Sequence, residues 1–167
     1  MKKVMCAMLF IVISITMNSC SAEVAEGTES TGGTEKLITD YSYNASELET
    51  MQLINNYRVS IGLNALEKIN HISYECEVHN KYMIDNNLVN HNDFVLRSKN
   101  IESVLGAKRV GENVAYNYKT SEAALRAWLD SPGHKENIEG NYTHFGISIS
   151  TDPATGKKYY TNIFAKI

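Results

Sequence analysis

With 167 residues, 43 % of them hydrophobic, and a formal net charge of −3, the chain has material for one domain with its own core. No basic run or basic patch stands out, which argues against nucleic acid as a partner. Cys6 and Cys20 lie near the start and only Cys76 lies in the body of the chain, so a domain beyond residue 20 has no internal disulfide and must be held by its core.

Residues 1–20 read as a signal. Met1-Lys2-Lys3 is a basic start, and residues 4–16 are apolar but short for a membrane span. The stretch ends in Met17-Asn18-Ser19-Cys20, which resembles a bacterial lipoprotein processing site. The resemblance implies that Cys20 becomes the lipidated first residue and the anchor to the membrane. A secretory signal cut nearby and an uncleaved anchor are the other two readings. All three put the folded part outside the cytoplasm, in the cell envelope or secreted. Residues 21–43 follow as a linker rich in Ser, Thr, Gly and Glu, too poor in large apolar residues to fold and therefore disordered. Residues 44–167 are the domain.

Within the domain, Ser46 and Glu49 form a capping box. The helix they open carries Leu48, Met51, Ile54 and Ile61 on one face and ends at Gly62. A second helix over residues 72–87 turns Ile72, Cys76, His79 and Met83 inward, and His79 reads as a core histidine. His71, before it, reads as an exposed loop residue, and His91 lies just past its end. A third helix covers residues 94–105. Gly111-Glu112-Asn113 reads as a turn leading into a short extended piece that ends at Tyr116. A fourth helix starts at Thr120 or Ser121 and buries Ala124, Leu125, Trp128 and Leu129. Ser131-Pro132-Gly133 then makes a corner, since Pro stops a helix and Gly permits unusual dihedrals. A short helical turn follows. Residues 144–150 alternate as a half-buried strand does, residues 151–158 form a hairpin loop and residues 159–165 return. Helices first and a hairpin last make an α+β plan, with helices packed on a small antiparallel sheet.

The chain has no GxSxG elbow, no GxxxxGK[ST] loop, no HExxH and no CxxC pair. The candidates for chemistry are scattered: His91 after a helix, Glu112 in the Gly-Glu-Asn segment, His134 on the corner and His144 at a strand start. Corners that present a titratable side chain are often sites. Two imidazoles and a carboxylate could hold a divalent metal, with a water in the open position. Such a set favours zinc and has too few oxygen ligands for calcium. The same residues could instead hydrogen-bond to one another, the carboxylate fixing the imidazole tautomer. Spacing alone does not choose between the two, nor does it prove that the three residues meet.

Six segments carry a resemblance. NNYRVSIGLNAL, HNKYMIDNNLVNH, GENVAY, AWLDSPGHKENI, NYTHFGISIS and YYTNIF, in that order, resemble a bacterial CAP domain, of the superfamily of cysteine-rich secretory proteins, antigen-five allergens and plant pathogenesis-related proteins. The similarity covers residues 48–164, and GENVA followed by W-x-x-SPGH-x-x-NI is its specific part. It implies a three-layer α-β-α sandwich around a central antiparallel sheet, with a cleft of histidines and acidic residues. His91 matches the histidine after the second helix, Glu112 the glutamate of the GEN motif, and His134 the histidine of the bacterial SPGH motif. The chain departs from the eukaryotic pattern at two places. Ser131, next to Asp130, stands at the second acidic position, and Asn141, before Tyr142-Thr143, stands where those members have a histidine. The His-Glu-Glu-His tetrad is therefore incomplete, and His134 is the residue to take the missing histidine's role. Ser131, Asn141 and His144 are secondary candidates.

For function, the resemblance implies extracellular binding of lipids, glycans or proteins. The expectation is a non-enzymatic surface binding module whose His91, Glu112 and His134 line a cleft for a small ligand, a lipid, a glycan or a metal such as zinc. The alternative is a hydrolase with the same three residues around a metal or an activated water. Against it, Ser131 is near His134 in sequence, but nothing in the chain marks it as activated. A purely structural envelope protein is a third reading.

Overall fold

A computed structural model of the protein describes residues 36–167. The signal, Cys20 and the linker up to residue 35 lie outside the described residues. Chain order is α1 (Ala45–Ser60), β1 (Glu67–Lys68), α2 (Asn70–Asp85), α3 (Phe94–Leu105), β2 (Arg109–Tyr116), α4 (Ser121–Asp130), α5 (Pro132–Ile138), β3 (His144–Thr151) and β4 (Lys158–Lys166). The strands lie in the order β1-β3-β4-β2. The three long strands are antiparallel, as expected, while the two-residue β1, which the sequence did not suggest, adds parallel to β3.

The α-β-α sandwich follows from which residues each face of the sheet presents. Tyr160 and Phe164 of β4 and Phe145, Ile147 and Ile149 of β3 pack with Met51 and Ile54 of α1, Leu125 and Trp128 of α4 and Ile138 of α5. On the other face, Ile163 and Ala165 of β4 pack with Ile72 and Cys76 of α2 and Ile101 of α3. The α2 layer lies very close to the sheet because β3 has a glycine beneath it: a Cβ on Gly146 would press on the backbone of Ile72 and Ser73.

Helix α1 differs from expectation at its start and on its inner face. The capping box is Asn44 with Glu47, two residues earlier: Asn44 Oδ1 accepts the Glu47 N–H at 3.0 Å and Glu47 Oε2 accepts the Asn44 N–H at 2.9 Å. Both spacings fit the motif in sequence. Tertiary contacts decide, because the buried Glu47 carboxylate also accepts the Ile149 N–H of β3 at 2.9 Å. Met51 and Ile54 are buried, but Leu48 stands about 100° round the helix from Glu47 and is exposed, and Ile61 is the exposed C-cap. Arg58 is buried instead, its guanidinium donating to Ile138 O at 2.6 Å and Gly140 O at 3.0 Å at the end of α5. Gly62 ends the helix as expected, at φ +82°.

The linker read from composition is also shorter than residues 21–43. The Ile38 N–H donates to His71 Nδ1 at 3.2 Å, Asn70 Nδ2 donates to Thr39 O at 2.5 Å, and Tyr43 packs on the core with its hydroxyl 3.0 Å from Ser73 Oγ. Residues 38–43 are thus laid on the domain. They cover His71, expected to be exposed but 1 % exposed in the fold, whose Nε2 lies 2.6 Å from Asn100 Oδ1.

Candidate functional site

The site is built around the free edge of β2. Just past that strand the Asn117 N–H donates to Lys158 O of β4 at 2.7 Å. By antiparallel alternation, the even-numbered residues of β2 then turn their backbone groups outward. Side chains take two of those outward carbonyls: Asn137 Nδ2 donates to Glu112 O at 3.1 Å, and Trp128 Nε1 donates to Val114 O at 3.1 Å. This capping from α4 and α5 is why the Gly-Glu-Asn segment runs as strand, where the sequence suggested a turn.

Side-chain alternation sends neighbours to opposite layers. Glu112 stands opposite Ile163, on the α2–α3 face, and Asn113 stands opposite Asn162, on the α4–α5 face. Asn113 Nδ2 donates to the His134 carbonyl at 3.0 Å, and Asn113 Oδ1 accepts Asn137 Nδ2 at 2.9 Å. These bonds, with Pro132 opening α5 and Trp128 buried beneath, fix the corner after α4 and place His134 beside the sheet edge.

On the α2–α3 face the Glu112 side chain has no exposure. Arg97 grips it with two bonds, Nε to Oε2 at 2.9 Å and Nη2 to Oε1 at 2.9 Å, while Nη1 donates to Asn92 O at 2.7 Å. His91 Nδ1 lies 2.8 Å from Oε1, its side chain about half exposed. His79 Nδ1 lies 3.8 Å from Oε2 and 3.2 Å from Thr161 Oγ1. Burial pushes the His79 pKa down to about 4, with Glu112 pulling the other way. Burial also lowers that of His134, and the charge of His91 lowers it further.

His91 and Glu112 are therefore in direct contact, and His134 reaches the same edge from the other layer. Ser131 lines a groove with His134. Two secondary candidates fall elsewhere: Asn141 is exposed and accepts Lys166 Nζ at 3.1 Å, and His144 lies toward β1, 2.8 Å from Thr143 Oγ1 and 3.7 Å from Glu67. Two members of the cluster were not read as site residues from sequence. Arg97 had only a weak signal, a charged residue four positions before the buried Ile101 on one helical stripe. His79 is the core histidine expected, yet it also belongs to the Glu112 cluster.

The residues do not fit a resident zinc as arranged. Arg97 holds both oxygens of Glu112, and the near nitrogen of His91 is turned to the same carboxylate. Among the described residues, no group of three or more His, Cys, Asp or Glu side chains is placed to hold a metal ion. What the edge does offer is a groove of about 370 Å³, walled by Val89, Tyr116, Tyr118 and Trp128, with Ser131 and His134 as its polar members.

The model of the CAP family, the Cysteine-rich secretory protein family, matches residues 51–164. The chain belongs to the CAP family. Two curated relatives come from Bacillus subtilis. The uncharacterized membrane protein YlbC is 33 % identical over 72 % of this chain and 34 % of its own length. The uncharacterized protein YkwD is 32 % identical over 70 % of this chain and 49 % of its own. The match thus spans half or less of either relative. Among solved structures, an extracellular protein containing a SCP domain from Bacillus anthracis has a TM-score of 0.63 at 27 % identity, over 73 % of this chain and 40 % of that one. An outer surface protein from Borrelia burgdorferi has a TM-score of 0.66 over 77 % of this chain and 98 % of that one; at 17 % identity it shares the CAP fold alone.

Proposed function

We propose that this CAP domain is a non-enzymatic binding module outside the cytoplasm, and that its ligand lies in the groove along β2 beside His134. The observation that carries the reading is the state of Glu112. With both oxygens held by Arg97, it is spent as a structural anion and is not free to act as a base or a metal ligand. A hydrolase needs an acid, a base and an oxyanion or metal partner in alignment. Among the described residues no hydrogen bond joins Ser131 to His134, so the groove offers no activated nucleophile.

What it offers is contact surface. Aromatic and aliphatic walls with a few polar groups are the usual make-up of a ligand pocket, and about 370 Å³ lies near the small end of the usual range of roughly 300–1,000 Å³. Such a groove suits one apolar segment of a lipid, glycan or protein ligand, with His134 orienting a polar end. The apolar leader and the extracellular relative from Bacillus anthracis support a location outside the cytoplasm. Lipid anchoring through Cys20 is part of the same proposal. No helix of the described residues is long and apolar enough to cross a membrane.

Titration of the isotope-labelled full chain with a small phenyl ester tests binding and turnover together. Saturable resonance shifts at Tyr116, Tyr118 and His134, with no hydrolysis beyond that of His134→Ala, are expected. Hydrolysis that disappears in His134→Ala would replace this reading with the hydrolase.

A further inference from the structure

We propose that His79, in the groove between α2 and α3, is the hydrogen-bond acceptor of a second binding site, one that takes a small neutral hydroxyl-bearing ligand, a polyol or a single sugar ring. This site does not depend on the β2 groove binding anything.

A chain of hydrogen bonds dictates the histidine tautomer. Asn80 Nδ2 donates to Ser148 O at 2.8 Å and Tyr159 O at 3.1 Å, which fixes the amide and leaves Oδ1 as an acceptor. The Thr161 hydroxyl donates to that Oδ1 at 2.7 Å. Its one proton is then used, so Thr161 Oγ1 can only accept from His79 Nδ1–H, 3.2 Å away. Burial keeps the ring neutral near pH 7, so Nε2 carries a bare lone pair. That atom is buried and has no partner. Buried acceptors are rarely left unmet, because the lost hydration is costly.

His79 lines a groove of about 340 Å³ together with Tyr82, Asn92, Asp93, Leu96 and Arg97. The Tyr82 ring lies within 12° of the His79 plane, centroids 6.2 Å apart. Asn92 Nδ2 donates to the Tyr82 phenol oxygen at 2.7 Å, which leaves the phenol proton to donate outward. The groove thus offers an aromatic wall with a bare imidazole acceptor and a phenol donor. A hydroxyl both donates and accepts, and the apolar face of a sugar ring packs on an aromatic wall. An anion would meet the Nε2 lone pair and the carboxylates of Glu75 and Asp93, and a cation would meet the guanidinium of Arg97, itself paired with Glu112. The His79 ring is itself covered, so the ligand reaches Nε2 when side chains of the groove move aside.

The test is a titration of the full chain, with isotope-labelled histidine, by glycerol, glucose and N-acetylglucosamine, followed at the ring nitrogens of His79. The expected starting point is the Nδ1–H tautomer, and the expected result is a saturable shift of the Nε2 resonance with at least one of these probes. Tyr82→Leu should weaken that binding by about tenfold, the worth of one aromatic contact. His134→Ala, in the other groove, should leave it unchanged. His79→Phe, made with labelled tyrosine and followed at the Tyr82 ring, should abolish it, and Tyr82→Leu, at a partly exposed position, carries the test if His79→Phe does not fold. An Nε2–H tautomer overturns the proposal. So does the absence of a saturable shift up to the solubility limit of every probe, which would leave a bound water as the partner. Binding that survives both variants overturns it as well.

Discussion

Arg97→Met should destabilise the fold by about 3–5 kcal/mol, because it strands a buried charge. The Glu112 side chain has no exposure and that of Arg97 only 8 %. Two of the carboxylate's bonds come from Arg97, and charge-assisted bonds of this kind are worth about 1.5–3 kcal/mol each. The remaining partners replace little of that: His91 is half exposed and screened by solvent, and His79, 3.8 Å away, is kept neutral by burial. Methionine keeps much of the apolar stem, so the loss reads the ion pair and not a cavity. Removing both charges in Arg97→Met with Glu112→Gln should recover much of the stability, since losing a whole buried pair costs far less than losing one partner. Urea denaturation of the full chain, followed by Trp128 fluorescence, gives all three values. A loss below about 1 kcal/mol for Arg97→Met, the scale of a surface pair, would refute the reasoning. A double variant no better than the single one would refute it too.

Burial holds the His79 pKa at about 4 in the fold against 6.5 for the free side chain. The unfolded chain therefore takes up this proton first on acidification; the contribution is full above about pH 6.5 and is lost as pH falls through about 4. His79→Phe should flatten that acid arm in denaturation runs across pH, and equal slopes would show that His79 is not buried neutral. Trp128→Ala should cost about 3–5 kcal/mol, because Trp128 is 1 % exposed and its indole caps a β2 carbonyl. Trp128→Phe, which keeps most of the ring volume and loses the bond, should lose clearly less; with the chain's one tryptophan removed, both variants are followed by far-UV circular dichroism. Gly146→Ala should cost about 1–3 kcal/mol by pushing α2 off β3, and a neutral result would mean that the helix has room to move.

Most elements were legible because their signals are local. The Ser131-Pro132-Gly133 corner, the strict alternation from His144 and the stop at Gly62 are each decided within a few residues. The misreadings share one cause, contacts from distant chain. Asn44 with Glu47 and Ser46 with Glu49 are equivalent as sequence, and an N–H of β3, about a hundred residues away, selects the first. Gly111 and Asn113 argue for a turn, and side chains of α4 and α5 hold the segment extended. His71 looks solvated until residues 38–43 fold over it. Of the candidate site, His91, Glu112 and His134 were legible through the family motifs. Arg97 was not, because no local pattern reveals that a helical arginine faces a carboxylate from a strand.

The central claim is that Arg97 has already taken Glu112, so that His91 and Glu112 are bound up in a buried polar cluster, His134 alone of the three lines the β2 groove, and the three do not form a metal centre. Calorimetric titration of zinc into the full chain near neutral pH, wild type beside His134→Ala, tests it most directly. The account predicts no saturable heat from either protein. A one-to-one heat in the wild type that His134→Ala abolishes would contradict it, since zinc would then have displaced Arg97 or bound without Glu112.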